Sequence, residues 1–306
     1  MKSVLFLFFF LGIYFISSFS THRFIKIKSI KENTEDTLRY IFLGHVYNYQ
    51  SSPIPHRLDP KIERLDYTKY NRIWPGGDIS SEASLDFSTM KYLDSVFDLA
   101  SPRVQYAVGN HDIRNGNIQY YKRVTKRKSY NFFSENGVVS ICINSQLNPS
   151  QCEDLNLQFN LIKNVCDTIQ KSKHLVLLMH SCLFCGVPGL PNPGNYAHVD
   201  FQYWNANCQD ASQTFSSSIY PMLTAVRNRG VEVHVIMGDT GVNRKGFHQE
   251  TPEAIHFYAS GISNSKYIDA LDLLEQPPDK VLVFEHEIKN QKMKWSFQNL
   301  DSLINE

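Results

Sequence analysis

The chain has no excess of charge of either sign: 31 Lys and Arg stand against 30 Asp and Glu, for a net charge of +1 over 306 residues. No nucleic-acid partner is therefore predicted, because such partners draw on a clear basic surplus. The chain also lacks an apolar run of the ~20 residues that a membrane-spanning helix needs; its N-terminal run, Val4 to Ile16, is shorter. There is no second Cys pair and no nearby His-x-x-x-His to accompany Cys182-Leu183-Phe184-Cys185. A thiolate metal site needs such company, so a structural disulfide or buried thiols are expected there instead. Internal repeats and linkers within the body are absent as well, which leaves one domain. An apolar fraction of 42% and an aromatic fraction of 13% supply enough core for it to fold.

The order of the first residues, a basic start at Lys2, the apolar run, then Ser17-Ser18-Phe19-Ser20, is that of a secretory signal. Residues 1–22 are read as a signal peptide or an N-terminal membrane anchor, 23–37 as a linker and 38–306 as the domain. Either reading of the start places the domain outside the cytoplasm, exported or attached to a membrane through this segment. Export would permit disulfides among Cys142, Cys152, Cys166, Cys182, Cys185 and Cys208. Pairing Cys182 or Cys185 with Cys208 would staple the loop between them.

Periodicity divides the rest. Leu38–Leu43, Val104–Val108, Tyr130–Phe133, Val138–Ile143, His174–Met179, Val231–Met237, Ile255–Ser260 and Val281–Glu287 read as strands. Residues 84–99, with Met90, Leu93 and Phe97 on one face, read as a helix, as does the stretch through Leu155, Phe159, Ile162 and Cys166, and a third over 219–229. Pro53, Pro55 and Pro60 predict a surface loop over 48–66. Lys122, Arg123, Lys126, Arg127 and Lys128 read as a solvated basic face. The Pro- and Gly-rich stretch after His180, followed by Tyr196, Tyr203 and Trp204, predicts an ordered lid or substrate wall.

Four apolar runs end in metal-binding side chains: Trp74-Pro75-Gly76-Gly77-Asp78, Ala107-Val108-Gly109-Asn110-His111-Asp112, Leu178-Met179-His180 and Ile236-Met237-Gly238-Asp239. Open α/β sheets bind ligands at that edge of the strands, so these ends would converge. Carboxylate, imidazole and amide oxygen suit divalent manganese, iron or zinc, and a metal pair can activate water and stabilise both oxygens of an in-line phosphoryl displacement. His111, beside a ligand, would then serve as a general acid, with Asp112 orienting it.

The ordered series Gly77-Asp78, Gly109-Asn110-His111-Asp112, Met179-His180 and Gly238-Asp239-Thr240-Gly241 resembles the calcineurin-like metallophosphoesterase superfamily, whose pattern is Asp-x-His, Gly-Asp, Gly-Asn-His-Asp/Glu, His and Gly-His-x-His. The resemblance implies an α/β fold, a four-layer α/β/β/α sandwich of two mixed sheets flanked by helices, with one or two divalent ions on the strand-end loops. It assigns Asp78, Asn110, His180 and Asp239 to one metal, and Asp78, His45 and Tyr47 to the other. Gly44-His45-Val46-Tyr47 departs from the family's first motif, since His45 takes either the Asp position or, two residues along, the His position. Gly241 cannot replace the family's last His, so that site is impaired, altered in metal preference, or completed by another residue such as Asp59, Asn243 or His248.

The activity that the resemblance implies is that of an exported phosphoesterase acting on a small-molecule, glycan or lipid phosphomonoester or phosphodiester. Two readings of other kinds stand beside it. One is a catalytically weak or inactive relative that binds a surface ligand such as a glycan through the Tyr203/Trp204 loop, and the other is a thiol oxidoreductase built on Cys182 and Cys185.

Overall fold

Strand β1 (Thr37–Leu43) shows how the sequence builds the layers. Successive side chains of a strand point to opposite faces, and here both faces are buried: Tyr40 and Phe42 enter one apolar layer, Ile41 and Leu43 another. The computed structural model describes residues 36–47, 57–114, 116–192, 204–240, 246–262 and 278–305. The chain divides by its contacts into Met1–Glu35 and Asp36–Glu306, and all described residues belong to the second unit. The expected signal or anchor lies outside the described residues. Among the described residues, no helix is long and apolar enough to cross a membrane.

Beyond β1 the strands are β2 (Arg72–Pro75), β3 (Asn131–Glu135), β4 (Val138–Cys142), β5 (His174–Met179) and β6 (Glu232–Met237), then β7 (Gly246–Glu250), β8 (Ile255–Ser260), β9 (Lys280–Glu287) and β10 (Lys292–Asn299). They form two mixed sheets, ordered β10-β9-β1-β2 and β3-β4-β5-β6-β8-β7. In the first, β1 and β2 are parallel and β9 and β10 antiparallel; in the second, β4, β5, β6 and β8 are parallel between antiparallel edges. The helices are α1 (Pro60–Glu63), α2 (Phe87–Phe97), α3 (Asn110–Ile113), α4 (Ile118–Thr125), α5 (Cys152–Thr168), α6 (Tyr220–Asn228) and α7 (Leu300–Asn305).

Three apolar layers result. Helices α5 and α6 cover the six-stranded sheet through Leu155, Ile162, Leu223 and Val226. Helices α1, α2, α4 and α7 cover the four-stranded sheet through Ile62, Met90, Leu93, Val124 and Leu300. Between the sheets, Tyr40, Phe42, Trp74, Leu178, Ile236 and Phe284 meet face to face. The Trp74 and Phe284 rings lie edge to face with centroids 5.9 Å apart, and each such fully buried side chain contributes about 1.5–3 kcal/mol. This is the four-layer α/β/β/α sandwich expected from the sequence.

Several expectations need correction. The proline-rich stretch is not all surface loop: Pro60 opens α1, capped by the Asp59 carboxylate on Lys61 N at 2.8 Å, and Leu58 and Ile62 are buried. Proline is tolerated at the first helical position, where its missing N–H would have no partner. Val104–Val108 runs beside β2, with Gln105 N donating to Ile73 O at 3.1 Å and Ala107 N to Pro75 O at 2.9 Å, but forms an isolated bridge, Ile73 to Val104, rather than a strand of the sheet. The basic stretch is partly α4, and Arg127 is no solvated charge, because its guanidinium donates to the carbonyls of Ala100, Ser101 and Val104. Trp204 is core, not lid: it is buried among the α5 and α6 side chains, and its indole N–H donates to Leu147 O at 3.1 Å. Tyr196 and Tyr203 lie outside the described residues.

The six cysteines are free thiols. Cys208 cannot staple Cys182, because Asn156 Oδ1 accepts its N–H at 3.0 Å near the start of α5, whereas Cys182 lies with its sulfur 3.8 Å from Asp239 O. Burial pushes the Cys182 thiol well above its ordinary value, which disfavours a thiolate at that sulfur.

Candidate metal centre

The loops after β1, β2, β5 and β6 are bound to one another by their backbones. His45 N donates to Gly77 O at 3.0 Å, Tyr47 N to Asp78 O at 3.3 Å, and both Gly238 N and Asp239 N to His180 O, at 2.9 and 2.8 Å. Small residues make this approach feasible: a Cβ on Gly77, whose φ is +87°, would overlap the His180 ring. His45 and Asp78 themselves take left-handed backbone, each with φ 50°. Such conformations cost about 1–3 kcal/mol each at non-glycine residues and cluster at functional sites.

The side chains brought together are buried. His45, Asp78, His180 and Asp239 are all no more than 3% exposed. His180 Nε2 lies 3.4 Å from Asp78 Oδ2, 3.7 Å from Asp239 Oδ1 and 3.2 Å from Asn110 Oδ1. His45 Nε2 is 3.8 Å from Asp78 Oδ2. One ligand atom each from His45, Asp78 and Asp239 falls within 4.8 Å of the others. Four strand ends and the start of α3 thus bring two imidazoles, two carboxylates and an amide oxygen close together.

Hydrogen bonds fix which atoms face it. His180 Nδ1 lies 2.9 Å from Gly76 O, an acceptor, so it carries hydrogen and directs Nε2 inward. Metal-ligating histidines are held in this way by a carbonyl on the far nitrogen. His111 N donates to Asp78 Oδ1 at 2.8 Å, leaving Oδ2 to the imidazoles. Burial opposes ionisation of Asp78, yet His180 and His45 hold its carboxyl well below the usual range. Burial likewise opposes a charge on His180, but Asp78 and Asp239 push it up to about 10. A cluster that draws a proton this strongly has the chemistry of a cation site, and the donor set suits an intermediate divalent metal.

His111 adjoins this point. Its Nδ1 is 3.3 Å from Ser81 O, and its Nε2 is 3.4 Å both from the Tyr47 hydroxyl and from an Arg114 guanidinium nitrogen. Burial holds the imidazole below its ordinary value; the Asp78 charge opposes this and Arg114 reinforces it. Tyr47 is thereby a neighbour of His111 as well as of the His45 ring, whose centroid is 4.8 Å from its own.

Asp112 does not hold the His111 ring. Its Oδ2 accepts from Asp78 N and Gly109 N, both at 2.8 Å, and its Oδ1 from Ile79 N at 2.9 Å. It ties the Asp78 loop to the start of α3, while Ser81 O faces the ring that Asp112 was expected to orient. Of the residues considered for completing the site, Asp59 caps α1 and His248 stacks on Tyr258 and lies tilted against Trp295. Gly241 and Asn243 lie outside the described residues. Arg114 was not anticipated; the only sequence signal is its place two residues after Asp112, where a single exposed arginine carries little information.

A surface cavity of about 690 Å³ lies elsewhere, between β3 and α5, walled by Phe132, Leu157, Leu161 and Ile169, and none of His45, Asp78, Asn110, His180 and Asp239 lines it. No family model matches the chain, and no curated protein matches it.

Proposed function

We propose that the chain is a metal-dependent phosphoesterase, a divergent relative of the calcineurin-like metallophosphoesterases. The observation that carries the reading is the convergence of His45, Asp78, Asn110, His180 and Asp239 on one buried point, with His111 and Arg114 beside it. Asp78, His45, His180, Asn110 and Asp239 would hold the metal. When bound, a divalent ion lowers the pKa of water and offsets charge on phosphoryl oxygens.

The chain's own residues supply the remainder. The guanidinium of the exposed Arg114 binds and orients an anionic phosphoryl group. With its Nδ1 hydrogen directed at Ser81 O, His111 presents Nε2 toward Tyr47 and Arg114. A phosphoester anion entering beside Arg114 favours protonation of that nitrogen, which then donates its proton to the departing alkoxide. The Asp112 bonds keep Asp78 and the His111 backbone in register throughout.

The test is an assay of the purified chain on chromogenic phosphomonoesters and phosphodiesters with added manganese, zinc or iron, wild type against His111→Ala. Turnover that falls about 100-fold or more in the variant supports general-acid catalysis. Turnover of neither ester class by a metal-loaded chain overturns the enzyme, and turnover unaffected by His111→Ala overturns the role given to His111.

A further inference from the structure

A second group of metal-binding side chains lies at the other end of the six-stranded sheet. His174 opens β5 and Glu232 opens β6, and the register sets them directly opposite each other. His234, two residues along β6, points to the same face. The His180 end of β5 is about 20 Å away at ~3.3 Å per residue, so this group is separate from the metal centre. Its three ligand atoms lie within 4.8 Å of one another.

His174 Nδ1 is 3.0 Å and His234 Nε2 3.8 Å from the same Glu232 oxygen. Zinc bonds of about 2.0–2.1 Å at tetrahedral angles put neighbouring ligand atoms about 3.3 Å apart, a value these separations bracket. Both histidines are buried, 1% and 2% exposed, and neither nitrogen makes an aligned hydrogen bond. The far nitrogens are held: His174 Nε2 lies 2.9 Å from Gln291 O and His234 Nδ1 3.2 Å from the Tyr258 hydroxyl. That is the outer support a ligating imidazole needs. The one Glu232 oxygen faces both His174 Nδ1 and His234 Nε2. A divalent cation serves all three groups at once. Glu232 is half-exposed, its side chain 49% accessible, which gives such an ion a route from solvent.

We infer that His174, Glu232 and His234 form a second divalent-metal site of the zinc type, independent of the proposed esterase centre. Imidazole with one carboxylate suits zinc and its neighbours over calcium or magnesium.

The test is calorimetric titration of the chelated full chain with zinc, with folding checked by circular dichroism. Glu232→Gln and His234→Gln should each lower the zinc bound per chain by one equivalent or weaken that equivalent more than tenfold. Asp239→Asn, which disables the other centre, should retain it. Zinc binding by Glu232→Gln and His234→Gln that matches wild type in number and affinity overturns the site and leaves a His174–Glu232 ion pair alone. So does a folded Asp239→Asn chain that takes up no zinc.

Discussion

Asp112 gives the sharpest mutational test, because two different roles predict opposite results. Its carboxylate accepts three short bonds from buried amides, those of Asp78, Gly109 and Ile79, and a longer one from Ser80 at 3.5 Å. Asp112→Ala orphans the three short donors. At about 1–3 kcal/mol per buried unsatisfied group, the loss is about 3–9 kcal/mol, against a typical domain stability of about 5–15 kcal/mol. Asp112→Asn should turn its one oxygen to Asp78 N and Gly109 N and lose the Ile79 bond, costing about 1–3 kcal/mol. Urea unfolding of the chelated chain measures both: the midpoint should fall in the order wild type, Asn, Ala, with an unchanged slope for the Asn variant. If Asp112 instead served to orient His111, both variants would keep the wild-type midpoint and lose only turnover. That result would refute the reasoning.

The same geometry sets other outcomes. Arg114→Ala should lower kcat/KM for a phosphoester by about 10–100-fold, the worth of a hydrogen bond to a charged group, with little change in the unfolding midpoint. Trp204→Ala should destabilise by about 3–5 kcal/mol, as a buried aromatic does, and leave KM at the wild-type value; a raised KM without loss of stability would restore the lid. In the metal-free chain, His180 is pushed up from 6.5 to about 10, so its contribution to stability is full below pH 6.5 and is lost as pH rises toward 10. Added metal replaces that proton, so calorimetry in buffers of different ionisation enthalpy should show proton release on binding at neutral pH. Binding without proton release would contradict the His180 assignment.

The strands and ligands that are legible in the sequence share a cause. After their polar first residues β5 and β6 are mostly apolar because both of their faces are buried, and they lead into His180 and Asp239, the candidate ligands. Helix α5 announces itself through Leu155, Ile162 and Cys166 on one face. The edge strands β7 and β10 are not legible, since Gly246-Phe247-His248-Gln249-Glu250 and Lys292-Met293-Lys294-Trp295 mix polar with apolar residues and are paired on one side only. Trp204 misleads because its neighbours are polar, while its own burial depends on Leu147, distant in sequence. The partnership of His174 with Glu232 is equally hidden. It exists only through the register of β5 on β6, which no local pattern specifies.

The central claim is that the buried cluster at Asp78 is a metal centre that drives phosphoester hydrolysis. The most direct measurement is the initial rate of chromogenic ester hydrolysis by the chelated chain as manganese is returned, wild type beside Asp78→Asn. The account predicts that turnover returns with manganese in the wild type and not in Asp78→Asn. Turnover that is absent in both, or equal in both, would contradict it.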